Sequence, residues 1–197
     1  HNRDYSALNE ARCSDLIESI LAQGKQEVPA IVRRVHNDPN FDYEVICGAR
    51  RHWCVTWLRN NNHPEIRFLV EIRDLTDEQA FRISDLENRA REDLSDLERA
   101  RDYLAALGLY YNGRQKDMAK RLNQSEAWLS RYLDLARLPT DILRSFADPF
   151  ELKISHIGAL KPLLKDDDCR SAVLAEARRI REAREAGEED VPVTVPD

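Results

Sequence analysis

Three stretches of this 197-residue chain carry side chains suited to binding phosphate or reading DNA. The first runs from Cys47 to Trp53, C-G-A-R-R-H-W. Gly48 removes a side chain where a ligand would approach the backbone. The free amides at a helix start favour an anion, and Arg50 and Arg51 add permanent charge with forked donors. This describes a phosphate cradle; a turn with two solvated arginines fits the same residues. The second runs from Leu86 to Leu94, L-E-N-R-A-R-E-D-L. Glu87 and Asn88 are oxygen ligands of the kind magnesium takes, and Arg91 adds a phosphate partner. A surface helix with interleaved charges has the same pattern. The third runs from Arg114 to Leu138. Between Arg114 and Arg137 it holds six basic and three acidic residues, a net charge of +3 inside a chain of net −6. Such a local excess is what phosphate contacts require.

The elements around these stretches follow from periodicity. Residues 13–23 read as an amphipathic helix capped by Ser14 or Asp15, with Leu16, Ile17, Ile20 and Leu21 as its stripe and Gly24 closing it. Val28–Val32 reads as a strand with Pro29 near its start. Residues 36–40 form a polar turn, and 41–46 alternate as a second strand. Gly48 then turns the chain into a helix through Cys54–Leu58. Residues 60–64 are a loop, and 66–73 a third strand. Thr76 with Gln79 forms a capping box at the head of the charged helix. From Ser95, paired with Glu98 in another capping box, the chain reads as wholly helical. Leu97, Ala100, Tyr103, Leu104 and Leu107 form a stripe before Gly108. A short helix to Leu122, a turn at Asn123-Gln124 and a second helix from Ser125 make a helix-turn-helix pattern. Met118, Leu122, Leu129 and Leu133 supply its core, Ala119 its close contact, and Asn123 its left-handed residue. A plain helical hairpin is the competing reading. Pro139 ends the second helix, and 140–146, 152–164 and 172–186 read as further helices. The expected domains are therefore 1–94, α+β with a small mixed sheet, and 95–187, all-α with the helix-turn-helix at 114–135. Residues 188–197 form a linker or tail.

Composition sets bounds. With 42% hydrophobic residues the chain can bury a core, and its acidic balance gives no global positive field. The cysteines at 13, 47, 54 and 169 show no C-x-x-C spacing, so reduced cytoplasmic thiols are expected. There is no membrane-spanning run and no signal peptide. The chain opens at His1 without a methionine, so a fragment of a longer protein is expected.

Taken in order, the motifs resemble ParB-type DNA-partition proteins over nearly the whole chain. S-I-L-A-Q-G-K-Q-E-V-P-A-I-V-R, from Ser19, looks like the first family motif, in a form nearer the plasmid RepB branch. C-G-A-R-R-H-W looks like the G-E-R-R motif, and L-E-N-R-A-R-E-D-L-S is similar to E-N-x-x-R-E-D-L-S. The helix-turn-helix follows at the family's spacing and ends in L-A-R-L-P. S-H-I-G-A-L, from Ser155, weakly resembles a later motif that has arginine at Gly158. The resemblance implies a ParB/sulfiredoxin-like domain binding CTP with Mg2+, followed by a domain that recognises a palindromic, centromere-like site in double-stranded DNA. It implies a bacterial cytoplasmic homodimer, associated with nucleoid or plasmid, that works with a ParA-type ATPase and closes into a clamp sliding along DNA.

Carried over, Gly48, Ala49, Arg50 and Arg51 line the phosphates, Glu87 and Asn88 serve magnesium and the triphosphate, and Arg91 supports them. Ala49 replaces a glutamate linked to hydrolysis and Val28 replaces a glutamine, so any CTP hydrolysis is expected to be slow. The second helix of the motif should enter the major groove, with Gln124, Ser125, Glu126, Trp128, Ser130 and Arg131 towards the bases. Arg114, Lys116 and Lys120 suit phosphates. Trp128 either meets a thymine methyl or packs. The alternatives are a transcriptional regulator on the same fold, and a sulfiredoxin-like enzyme, phosphotransferase or nuclease, for which Cys47 or a carboxylate cluster would matter.

Overall fold

Residues 5, 8–36, 38–89 and 94–187 are described in the computed structural model, whose contacts divide the chain into two units, His1–Ala90 and Arg91–Asp197. The expected tail at 188–197 lies outside the described residues.

The first unit contains α1 (Glu10–Gln23), β1 (Ala30–Arg34), β2 (Tyr43–Cys47), α2 (Ala49–Asn60), β3 (Val70–Ile72) and α3 (Asp77–Arg89). The strands form one sheet in the order β2-β1-β3. β1 pairs antiparallel with β2, Val32 opposite Val45, and parallel with β3, Ala30 opposite Val70. This is the small mixed sheet that the sequence predicts. α1 packs on α2 through Cys13, Ile17, Ile20, Cys54, Val55 and Leu58. α3 covers the other cluster, where Ile46, Cys47 and Ala80 meet Ile31, Leu75 and Ile83.

Two expectations for this unit need correction. α1 starts ahead of residue 13, because Asn9 caps it by accepting from the Arg12 amide at 2.9 Å. Asp15 is thereby released for another partner, and Leu21 stays 40% exposed. β3 is shorter than 66–73. The buried Gln26 side chain donates to the Leu69 carbonyl at 2.8 Å and accepts from the Leu69 amide at 3.2 Å. One amide side chain thus does the work of a neighbouring strand there, so the ladder begins only at Val70.

The second unit contains α4 (Asp96–Tyr111), α5 (Gln115–Arg121), α6 (Glu126–Ala136), α7 (Thr140–Ser145), a 3-10 turn (Pro149–Glu151), α8 (Ile157–Lys165) and α9 (Asp167–Glu185). Both oxygens of the Ser95–Glu98 capping box are engaged. α4 buries Leu97, Ala100, Tyr103, Ala106 and Leu107, runs through Gly108 and stops at Asn112, φ 50°. α6 buries Leu129, Tyr132, Leu133 and Leu135. α8 is shorter than 152–164. α9 starts before 172 because Asp166 caps it, accepting from the Cys169 amide at 2.9 Å. Among the described residues no helix is long and apolar enough to cross a membrane.

A candidate anion cradle and a candidate nucleic-acid interface

Gly48 sits at the junction of β2 and α2 with φ 98°, a conformation that side-chain-bearing residues avoid. A Cβ there would lie 2.8 Å from the Cβ of Ala30. Both the backbone angle and the contact with β1 therefore demand glycine. Its amide faces α3, donating to Glu87 Oε2 at 3.2 Å. Arg51 is fixed from two sides. Nη1 donates to the carbonyls of Pro29 at 2.6 Å and Val28 at 3.2 Å, and Nη2 donates to Glu87 Oε1 at 3.2 Å. A backbone amide and a guanidinium thus close on one carboxylate, a pincer for an anion.

Arg50 takes a different direction. Its Nη2 donates to the Arg12 carbonyl at 2.7 Å and pairs with Asp15 on α1. The structure therefore brings Gly48, Arg51 and Glu87 together and sends Arg50 elsewhere. Ala49 and Asn88 are half-buried neighbours of these groups in sequence. Arg91 lies outside the described residues. Next to Glu87 on the buried side, Asp85 pairs with Arg89 at 2.9 Å. The charged helix is thus one face in the protein and one in solvent, with Leu86 67% exposed.

Cys47 bears on the sulfiredoxin-like alternative. Its thiol is buried and donates to the Ile83 carbonyl at 3.6 Å. Burial, reinforced by the Glu87 charge, pushes it up to about 12. It is a protonated core thiol at neutral pH, not a poised nucleophile.

In the second unit, α5 and α6 form the helix-turn-helix, with Asn123 at φ 52° in the turn. Ser125 caps α6, its hydroxyl accepting from the Trp128 amide at 3.1 Å. Gln115 Nε2 donates to the Glu126 carbonyl at 3.1 Å, joining the starts of the two helices. Met118, Leu122, Leu129 and Leu133 are all at or below 2% exposure. Behind α6, the Tyr132 hydroxyl donates to Asp96 Oδ1 at 3.3 Å, Arg99 donates to that hydroxyl, and the Ile154 amide donates to Asp96 Oδ2 at 3.0 Å. One carboxylate at the head of α4 thereby anchors α6 and the approach to α8.

Arg114, Lys116, Lys120, Ser125, Glu126 and Arg131 are exposed, while Gln124 and Ser130 are half-buried. Arg114 pairs with Asp117 at 2.9 Å. The Trp128 ring lies 4.7 Å from that of Tyr132 and 5.4 Å from that of Tyr103, which is packing. A groove of about 640 Å³ runs between α6 and α8, lined by Ser130, Arg131 and Asp134 on one side and Lys161 and Lys165 on the other. Lys161 pairs with Asp134. The sequence reading missed Lys161, Lys165 and Asp15: nothing local marks the partners of Lys161 and Asp15, 27 and 35 residues away, or the groove that Lys165 lines.

The two units define a helix-turn-helix protein with a mixed-sheet α+β unit ahead of it. The family model described as "Centromere-binding protein HTH domain" matches residues 94–168. A nucleoid occlusion protein of Bacillus cytotoxicus is 31% identical over 171 residues, 87% of this chain and 55% of the relative. The chromosome-partitioning protein Spo0J of Thermus thermophilus is 30% identical over 159 residues, 80% of this chain and 54% of the relative. The C-terminally truncated ParB of Caulobacter crescentus, solved in complex with the centromeric parS site, overlays with a TM-score of 0.52 at 21% identity, covering 92% of this chain and 91% of that one. At that identity the overlay speaks to the fold. Residues 94–168 thus match a centromere-binding HTH domain, and most of the chain is similar to ParB-type partition proteins. The chain spans about half the length of these two curated relatives, and they do not place it in the plasmid RepB branch.

Proposed function

We propose that the chain serves DNA segregation: its helical unit binds a palindromic, centromere-like DNA site, and its α+β unit binds CTP with Mg2+ as a switch. One observation carries the reading. The helix-turn-helix, held from behind through Asp96, presents Lys116, Lys120 and Arg131 to solvent in the region that matches a centromere-binding HTH domain. Arg131 and Ser130 on α6 suit base edges, and Lys116 and Lys120 on α5 suit phosphates. Ser125 and Trp128 are engaged in capping and packing, so they position α6 more than they read bases.

The cradle supports the nucleotide part. Gly48 and Arg51 already grip a carboxylate, so a phosphate oxygen meets matching donors there. Glu87 and Asn88 would hold Mg2+, which takes one or two protein oxygens beside those of a triphosphate. When bound, the nucleotide supplies energy of association that shifts the balance between open and closed forms of a DNA clamp. Closure pairs two copies, and a ParA-type ATPase is the expected partner. With Ala49 in place of a carboxylate, turnover is expected to be slow.

The experiment is calorimetric titration of CTP, ATP, GTP and UTP with Mg2+, with and without the DNA recovered by site selection. Selective CTP binding that Arg51→Ala abolishes supports the switch. Absence of any nucleotide binding, even with DNA, reduces the chain to a DNA-binding module. Unchanged base preference in Arg131→Ala would rule out base reading by that residue.

A further inference from the structure

The Glu87 carboxylate stands on the two donors best suited to a phosphate: the Gly48 amide, 3.2 Å from Oε2, and Arg51 Nη2, 3.2 Å from Oε1. The other terminal nitrogen of Arg51 is tied to the carbonyls of Val28 and Pro29, which fixes the guanidinium plane in the cradle. Arg50, the second cation of the pair, is likewise held by a carboxylate of the chain, Asp15. The arginine pair is therefore neutralised from within.

We propose that Glu87 is a resident carboxylate latch in the anion cradle, and that its release by a divalent cation is what makes the cradle available to a polyphosphate. This rests on the nucleotide reading above. The Gly48 amide has a single hydrogen, so a phosphate oxygen that takes it displaces Glu87 Oε2 and crowds the carboxylate on Arg51. Expelled without a counter-ion, Glu87 would face the polyphosphate at close range, like charge against like charge, in a half-buried setting that screens poorly. A divalent cation removes that penalty by taking Glu87 as an oxygen ligand while also neutralising the phosphates. Binding should thus depend on the cation far more than phosphate charge alone requires.

Calorimetry with inorganic tripolyphosphate and with CTP, each in excess Mg2+ and in EDTA, tests this on wild type, Glu87→Gln and Arg51→Ala. Glu87→Gln keeps the shape and removes the charge. It is expected to bind tripolyphosphate in EDTA roughly tenfold more tightly than wild type, the scale of one charge-assisted hydrogen bond no longer contested. Its gain on adding Mg2+ should shrink correspondingly. Arg51→Ala should bind in neither condition. If wild type binds CTP with Mg2+ but Glu87→Gln gains nothing in EDTA, the latch is wrong and the nucleotide site stands. If wild type binds no nucleotide in either condition, both fall. A measurement on wild type alone covers a variant that does not fold. The Gly48 amide resonance should stay in place with tripolyphosphate in EDTA and move once Mg2+ is added. An equal movement in EDTA would sink the latch.

Discussion

In the α+β unit both arginines of the pair are engaged by the chain itself, Arg51 by Glu87 and two carbonyls, Arg50 by Asp15 and a third carbonyl. In the helical unit Lys116, Lys120 and Arg131 stand exposed on a scaffold whose hydrogen bonds lie behind them. The contrast follows from what each surface would hold. A small, dense anion needs donors fixed before it arrives, and half-buried cations fixed in an empty site need a carboxylate beside them. Duplex DNA is a long line of charge, gripped largely by solvated lysines and arginines that displace its counter-ions. Those cations need a rigid support but no internal partner.

The largest expected effect tests the support. Leu133 is wholly buried in α6. Leu133→Ala should cost about 2–5 kcal/mol, lower the melting temperature of the helical unit and weaken DNA binding together with it. DNA binding lost without any loss of stability would mean that α6 is not held by this core. Next comes Gly48→Ala. The left-handed backbone costs about 1–2 kcal/mol, and the contact with Ala30 adds roughly 1–3 kcal/mol of overpacking. The expected outcome is a destabilised α+β unit with no nucleotide binding and intact DNA binding; unchanged melting would contradict the close approach to β1.

A paired experiment sharpens the comparison. Arg131→Ala should leave stability within about 0.5 kcal/mol yet reduce discrimination between DNA sites by about 1–3 kcal/mol. Arg50→Ala should do the reverse, lowering stability by up to about 1 kcal/mol, as an ion pair with an exposed carboxylate allows, with DNA preference unmoved. Equal effects on both properties in either variant would erase the distinction. The smallest effect concerns pH. Burial lowers the His52 imidazole from its ordinary 6.5, so between that lowered value and 6.5 the folded unit carries fewer protons than the unfolded chain. Its contribution is complete above 6.5 and is lost as pH falls through the lowered value. Denaturant melts of the α+β unit should therefore show less stability on acidification below 6.5, a slope that His52→Gln reduces.

The helix-turn-helix was legible because its determinants are local. Asn123, the Ser125 cap and the apolar spacing of Met118, Leu122, Leu129 and Leu133 all fall within one short stretch and all agree. Gly48 was legible for the same reason. The join between Gly48 and Glu87, 39 residues apart, was not; periodicity left the charged helix open, and only the family motif set the two together. The partner of Arg50 was not legible, because it is chosen by how α1 lies on α2, which nothing in C-G-A-R-R announces. The truncated β3 was hidden in Gln26, whose side chain substitutes for a strand across 43 residues. The early start of α9 did leave a signal, since Asp166 has the spacing of a cap ahead of Cys169.

The chain's three tryptophans are distributed unevenly. Trp53 and Trp57 lie in α2 beside the α1 interface, while Trp128, in the helix-turn-helix, packs against Tyr103 and Tyr132. The molecule therefore carries its own optical labels, two on one unit and one on the other. Replacing Trp53 and Trp57 with phenylalanine would leave a single emitter on α6, so that the arrival of DNA could be watched in real time without attaching a dye.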